Sequence, residues 1–254
     1  MRLRIFALCL ALFSFSWGNS QNSQLFSQAT EKYNKGEYKK AIENYEQILK
    51  DGQHSAELYF NLANCHYKLN AIGPSIYYYE KALLLKPNDP EIVNNLKYAQ
   101  NMRLDAVEEM PQTEIGKAYE SIVNLFSFDG WAYISVILIL FFVACYLAYY
   151  FLRDASHKRM AFVTSVFSLV LGVTTVLLAY LQYQEYKSEN PAIIFAKEVK
   201  ITSEPNENSE AVFILHEGTK VNVLNDLNDW RKIRLADGQT GWLKNENVKL
   251  LKDF

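Results

Sequence analysis

Residues 34–49 read NKGEYKKAIENYEQIL, and residues 68–83 read KLNAIGPSIYYYEKAL, which places the two stretches 34 positions apart. At this spacing small residues align with small ones and aromatic residues with aromatic ones, in the pairs Ala29 and Ala63, Tyr33 and Tyr67, Ala41 and Ser75, and Tyr45 and Tyr79. Small residues allow two helices to touch, and aromatic residues fill the space between neighbouring helix pairs. The period therefore predicts stacked pairs of antiparallel helices.

These stretches resemble the tetratricopeptide repeat family, with one repeat at residues 22–55 and a second at 56–89. Pro87 closes the second repeat because proline cannot continue a helix, whereas Gln53 occupies that place in the first. A third helix, beginning at Pro90, starts like another repeat but has no partner helix. We expect it to cap the exposed edge of the second repeat, so the helical domain spans residues 21–108.

The resemblance implies that the first helix of each repeat lines a concave groove for a partner segment. Carried onto this chain, the groove positions are Phe26, Thr30, Tyr33 and Asn34, then Phe60, Asn64, Tyr67 and Lys68. The set is rich in aromatic and amide groups, which predicts an extended or helical ligand bound with weak salt dependence. Tyr33 and Tyr67 have the alternative role of packing between repeats, whereas packing is not expected to require Phe60 and Asn64.

The N-terminal residues 1–20 have the layout of a secretory signal peptide. Arg2 and Arg4 precede an apolar run that ends in small residues near Gly18. Such a run is short for a membrane span, so we expect cleavage after export, with an uncleaved anchor as the alternative.

Two later segments, residues 131–152 and 160–183, contain no charged residue and are long enough to cross a hydrocarbon core of about 30 Å. The segment between them, RDASHKR at residues 153–159, carries three basic residues. Because short basic loops remain in the cytoplasm, the hairpin is predicted to place both soluble parts outside the inner membrane, in the periplasm. The signal peptide requires the same orientation.

The second predicted span has a stripe of small residues along one helix face. Its members are Ala161, Ser165, Ser168, Gly172, Thr175 and Ala179. Small residues let helix backbones approach closely in lipid. The stripe therefore packs either against the first span of the same chain or against a helix of a partner protein.

Residues 109–130 join the helical domain to the first span. Apolar residues at Ile115, Tyr119, Ile122 and Phe126 suit an amphipathic helix at the lipid interface, and a solvated linker is the alternative. Trp131 is expected to anchor the membrane boundary.

After Pro191 the pattern alternates with period two, which predicts short strands in a domain spanning residues 191–254. The predicted strands are Glu198–Thr202, Ala211–Leu215, Lys220–Leu224, Trp230–Leu235, Thr240–Lys244 and Asn247–Leu251. The residues LHEGTKVNVL and DWRKIRLADGQTGWL resemble a bacterial SH3-like barrel. The resemblance implies binding of wall peptides or protein segments, with Trp230 and Trp242 as the characteristic aromatics. Trp230 fits either the core or the surface.

Composition excludes several other functions. The net charge is −2 without a block of basic residues, so no nucleic-acid partner is expected. The cysteines, Cys9, Cys65 and Cys145, fall in three different segments, and no disulfide is predicted. The four histidines are equally scattered and no nucleotide or nucleophile motif is present, so we expect no metal, no cofactor and no enzymatic activity.

The order of segments predicts a multidomain protein with all-α repeats, two transmembrane helices and an all-β SH3-like domain. It resembles the tetratricopeptide/SH3 membrane proteins of the Bat aerotolerance operon of Bacteroidetes. The resemblance is carried by GEYKKAIENYEQIL, ELYFNLANCHYKL, VNLFSFDGWAYIS and the pattern HEGTKV…W…KIRLADGQTGW. It implies a non-catalytic scaffold for von Willebrand A-type membrane proteins in an envelope complex linked to oxidative stress.

Two other functions remain open from the sequence. One is an envelope sensor whose barrel binds peptidoglycan peptides, and the other is a periplasmic chaperone that holds clients in the repeat groove.

Overall fold

The computed structural model describes residues 22–107, 110 and 113–253, and the predicted signal peptide lies outside this part of the chain. The chain divides into two compact units. The first combines Met1–Glu109 with Asn190–Phe254, and the second is Met110–Glu189. Segments far apart in sequence, before and after the two long apolar helices, therefore belong to one unit.

The helical part of the first unit consists of two helix pairs and a single helix. They are α1 (described over residues 22–34), α2 (Tyr38–Lys50), α3 (Ala56–Lys68), α4 (Ile72–Leu85) and α5 (Pro90–Gln100). Ala41, Ala63 and Ser75, where the period places small residues, are fully buried. Tyr45 and Tyr79 are almost fully buried beside them. The predicted repeat architecture is confirmed.

Local chemistry sets the helix boundaries. Gly36 and Asn70, 34 positions apart, lie in the turns within the two helix pairs and have φ of 78° and 57°. Glycine and asparagine adopt this left-handed conformation more readily than other residues. Ser55 accepts a hydrogen bond from the Leu58 backbone N–H and so caps α3, and Asp89 caps α5 in the same way.

The C-terminal part of the first unit is a seven-stranded antiparallel sheet in the order β3-β2-β6-β5-β4-β1-β7. The strands are β1 (Pro191–Ile194), β2 (Glu198–Thr202), β3 (Ala211–His216), β4 (Lys220–Leu227), β5 (Trp230–Arg234), β6 (Thr240–Lys244) and β7 (Val248–Leu250). Every strand contributes to one apolar core, in which Ile201, Ile233 and Leu243 have no exposed surface. The predicted all-β class is confirmed.

The strand β1 was not predicted from the sequence. All four of its residues are buried, so it lacks the alternation that marks a strand with one exposed face. Ala192 and Ile194 point into the sheet core, whereas Ile193 between them belongs to the helical core. The strand is apolar throughout because it has a core on each side.

The second unit contains α6 (Glu114–Val123), α7 (Phe128–Phe151) and α8 (Ala155–Ser188). By length and composition, α7 and α8 are apolar enough to cross a membrane. The predicted loop at 153–159 is mostly helical, because Asp154 accepts hydrogen bonds from the N–H groups of Ser156 and His157 and starts α8 there. The chain between α7 and α8 is only Leu152–Asp154.

Candidate functional site

The groove positions of the second repeat are used in packing. The Tyr79 hydroxyl on α4 donates a hydrogen bond to Asn64 Oδ1, and Asn95 Nδ2 on α5 donates to the same oxygen at 3.4 Å. The Phe60 ring lies 5.9 Å from the Tyr79 ring between centroids. The expectation that packing does not require Phe60 and Asn64 is therefore wrong: both support Tyr79, and Asn64 joins the second repeat to its cap.

The first repeat shows the same pattern around Tyr45 on α2. The Phe26 ring meets the Tyr45 ring edge-on at 5.5 Å, and the Thr30 hydroxyl lies 3.0 Å from the Tyr45 hydroxyl. Tyr33 contacts Tyr38 edge-on at 5.3 Å. Phe26, Thr30 and Tyr33 are half-buried, so each offers only part of its surface to a ligand.

The predicted groove residues differ in exposure. Tyr67 is half-buried against the helical core, whereas Asn34 and Lys68, at matched positions, are exposed. A groove of about 520 Å³ opens beside α1 and the loop before α3, with Phe26 and Leu58 among its walls. Phe26 is the only member of the predicted set that lines it. Asn34 and Lys68 are thus the members that a partner reaches without disturbing the core.

The helices and the sheet of the first unit share a core. Ile193 lies near the start of the sheet domain and Leu251 near its end. They are 0% and 1% exposed, and both pack into the core of the helices. The Phe195 ring meets the Tyr77 ring of α4 edge-on at 5.3 Å. The repeats and the sheet are therefore one packed body.

Asp105, just after α5, forms the first polar contact of this joint. Its carboxylate accepts hydrogen bonds from the His216 backbone N–H at 2.7 Å and from the Thr219 hydroxyl at 2.6 Å. The other carboxylate oxygen lies 2.6 Å from His216 Nδ1. Burial disfavours the charged carboxylate, but the hydrogen bonds from Thr219 and His216 outweigh it and keep the pKa of Asp105 below its ordinary value.

Asp253, near the C-terminus, forms the second contact. Its carboxylate accepts from the Tyr77 hydroxyl at 2.9 Å and is ion-paired with Lys81. Lys81 is only 5% exposed, and its ammonium lies 4.9 Å from the ring centroid of Tyr59. Removing the Asp253 carboxylate would leave the buried Lys81 ammonium without its counter-charge, which is costly. Nothing in the sequence pattern marked Asp105 or Asp253, because their partners lie more than a hundred positions away.

Trp230 and Trp242 lie on the outer face of the sheet. Both are half-buried, and neither belongs to the sheet core, so Trp230 takes the surface position of its two alternatives. Trp230 pairs across strands with Lys244, and Trp242 pairs with Lys232. Residues directly opposite in an antiparallel pair share a face, which places both indoles among basic side chains.

In the second unit, the small-residue stripe of α8 faces α7. Ser165, Ser168, Gly172 and Thr175 are buried, and Ala161 and Ala179 are half-buried. The Ser168 hydroxyl donates to the Leu138 carbonyl oxygen at 2.8 Å, and a Cβ on Gly172 would lie 3.5 Å from Leu138 Cβ. This arrangement matches the alternative in which the stripe packs within the same chain.

The helix α6 exposes apolar residues ahead of α7. Ile115 is 84% exposed, and Tyr119 and Ile122 are exposed on the same helix. Its last residue, Val123, is buried, and its carbonyl oxygen accepts a hydrogen bond from Trp131 Nε1 at 2.8 Å. Trp131 therefore fixes the end of α6 against the start of α7.

The described part of the chain contains no group of three or more His, Cys, Asp or Glu residues that could hold a metal ion. Cys65 is fully buried, and burial raises the pKa of its thiol to about 12. The thiol therefore stays protonated at neutral pH and acts as a packed apolar residue.

Comparison with known families supports the two soluble modules. Residues 198–249 match the model of the bacterial SH3 domain, and residues 56–89 match that of the tetratricopeptide repeat. A search of curated proteins finds no match. Both matched modules are typical of protein–protein or cell-wall interaction and are typically non-catalytic.

Proposed function

We propose that this protein is a non-catalytic membrane-anchored scaffold of the bacterial envelope, whose repeats and SH3-like domain act as one binding body. The observation that carries the proposal is the shared core, in which Ile193 and Leu251 of the sheet domain pack among the repeat helices. The repeats and the SH3-like domain therefore keep a fixed position relative to each other. A scaffold that assembles a complex requires such a fixed arrangement of its binding domains.

The joint also supports the proposed topology. The segments before and after the α7–α8 hairpin belong to one unit, so both must lie on the same side of a membrane that the hairpin crosses. Two spans return the chain to its starting side. Lys158 and Arg159 beside the α7–α8 connection favour the cytoplasm for that end, which leaves the soluble unit in the periplasm.

The proposed partners are other membrane or periplasmic proteins, by resemblance the von Willebrand A-type proteins of an aerotolerance complex. The lipid bilayer is the second partner, through α7, α8 and the exposed apolar face of α6. Peptidoglycan peptides are the alternative ligand of the SH3-like domain.

Recovery of partners from detergent-solubilised membranes tests the proposal. The full chain should recover discrete membrane proteins, whereas a smear of unrelated clients would favour a chaperone instead. The double variant Asn34→Ala with Lys68→Ala should lower recovery, because both side chains are exposed on the predicted groove. The matched control is Gln47→Ala with Lys50→Ala, an amide and a lysine that are both exposed on α2. Unchanged recovery by the first variant would place the partner on another surface.

Phe60→Ala with Asn64→Ala is a separate test of the packing role. These side chains hold Tyr79, so the change should lower helicity together with partner recovery. Loss of recovery with full helicity by circular dichroism would instead make them ligand contacts.

A further inference from the structure

The outer face of the sheet carries a basic aromatic surface, formed by Lys200, Trp230, Lys232, Arg234, Trp242 and Lys244. Alternation along β5 turns Ile233 into the core and its neighbours Lys232 and Arg234 outward. Cross-strand pairing of Lys232 with Trp242 places β6 side chains on the same face. The surface is thus a direct consequence of strand register.

Most of the charge on this surface is uncompensated. Within the described residues, Lys200, Lys232 and Arg234 form no ion pair with a carboxylate, in contrast to Arg231, which pairs with Asp226. Lys232 Nζ lies 6.0 Å from the Trp242 ring centroid, at the edge of cation–π range. The whole chain has a net charge of −2, so this concentration of cations is local.

A groove of about 390 Å³ runs along one side of this surface, and Trp230, Lys200 and Lys244 are among its lining residues. The loop between β2 and β3 reaches into it, and Glu207 pairs with Lys244 at 2.6 Å. Asp229 and Glu246 also act on Lys244 electrostatically. These acids act on Lys244, so the cations of this surface that form no ion pair among the described residues are Lys200, Lys232 and Arg234.

Glu207 is an example, within the chain itself, of a carboxylate bound at this surface. It is a carboxylate carried on a peptide segment, and it meets a lysine within the groove that Trp230 lines. Both Lys244 and Glu207 are outside the sheet core, so their contact can exchange with an external carboxylate at small cost.

We propose that the basic aromatic surface binds an acidic segment of a protein partner. Its carboxylates would pair with Lys232, Arg234 and Lys200, and its apolar side chains would stack on Trp230 and Trp242. Glu207 would compete with the segment for Lys244. The proposal rests on the scaffold function and specifies the partner chemistry of its SH3-like domain. In contrast to the repeat groove, this contact should weaken strongly as salt rises.

The test is binding of a peptide with fluorescein on its N-terminus, fluoresceinyl-Glu-Phe-Glu-Leu-Glu-Phe-Glu-amide, to the full chain in detergent micelles, followed by anisotropy. Lys232→Ala with Arg234→Ala should raise the dissociation constant about tenfold, the effect of two exposed charges. The matched control, Lys39→Ala with Lys50→Ala, removes the same charge from α2 and should leave it unchanged. Glu207→Gln should tighten binding because it frees Lys244.

Several results would overturn the proposal. Equal binding of the peptide in which glutamine replaces every glutamate would show that charge is not recognised, as would unchanged affinity of the double variant or of Glu207→Gln. If purified cell-wall sacculi bind through Lys232 and Arg234 while the acidic peptide does not, the surface recognises the wall instead. Recovery of the membrane complex without peptide binding would leave the scaffold function standing and remove only this inference.

Discussion

Leu251→Ala tests whether the repeats and the sheet are one folding unit. Leu251 is 1% exposed and packs with Ile193 among side chains of α3, α4 and α5. The change deletes three carbon groups, which are worth about 2.4 kcal/mol of transfer free energy at about 0.8 kcal/mol each. The cavity that remains adds to this cost, so we expect a loss of about 3 kcal/mol, within the range of about 2–5 kcal/mol for buried leucines.

Hydrogen exchange followed by mass spectrometry on the full chain in micelles measures this loss segment by segment. Peptides from α4 and α5 should exchange about a hundredfold faster in Leu251→Ala, because each 1.4 kcal/mol is about a factor of ten. The substitution lies about 150 positions beyond these helices in sequence, so the effect must pass through the shared core.

The control is Leu227→Ala, a leucine of the same sheet that is 46% exposed and should change stability by less than about 0.5 kcal/mol. If α4 and α5 keep wild-type protection in Leu251→Ala while β7 loses its own, the two domains fold independently. The reasoning about a joint core would then be refuted.

Three further predictions concern other parts of the chain. Burial, together with the nearby Lys249 charge, lowers the pKa of His66 from 6.5 to about 4. As the pH falls, the unfolded chain therefore binds a proton on His66 before the folded chain does. The free energy of unfolding should fall by up to about 3 kcal/mol between pH 6.5 and pH 4. Denaturant unfolding measures this dependence, which should be weaker in His66→Gln. Gly172→Leu should lower the stability of the α7–α8 hairpin by about 1–2 kcal/mol in a detergent unfolding assay, whereas Leu171→Ile, at an exposed position, should not. Equal stability of the two variants would show that the small-residue stripe does not pack against α7. A cysteine at position 156 should not react with a membrane-impermeant thiol reagent until the cells are broken open. A cysteine at position 209 should react once the outer membrane alone is permeabilised. The reverse pattern of labelling would overturn the proposed topology.

Sequence periodicity was sufficient for most elements of the fold. The 34-residue period located the buried small and aromatic residues, and alternation located six of the seven strands. It failed at β1, where burial on both faces removes the alternation that defines a strand signal. It also misjudged Phe60 and Asn64, since their contact with Tyr79 depends on how a repeat meets its own second helix.

Local chemistry in the sequence by itself determined the helix pairs, the two apolar spans, the strand-rich domain and its two tryptophans. These features depend on periodicity, turn residues and hydrophobicity, which are properties of neighbouring positions along the chain. Only the tertiary structure decided that the repeats and the sheet share a core, that Asp105 and Asp253 fasten it, and that basic side chains gather around Trp242. Those contacts join residues that are far apart in sequence. Their partners are selected by the packing of complementary surfaces, and this packing produces no periodic pattern in a single sequence.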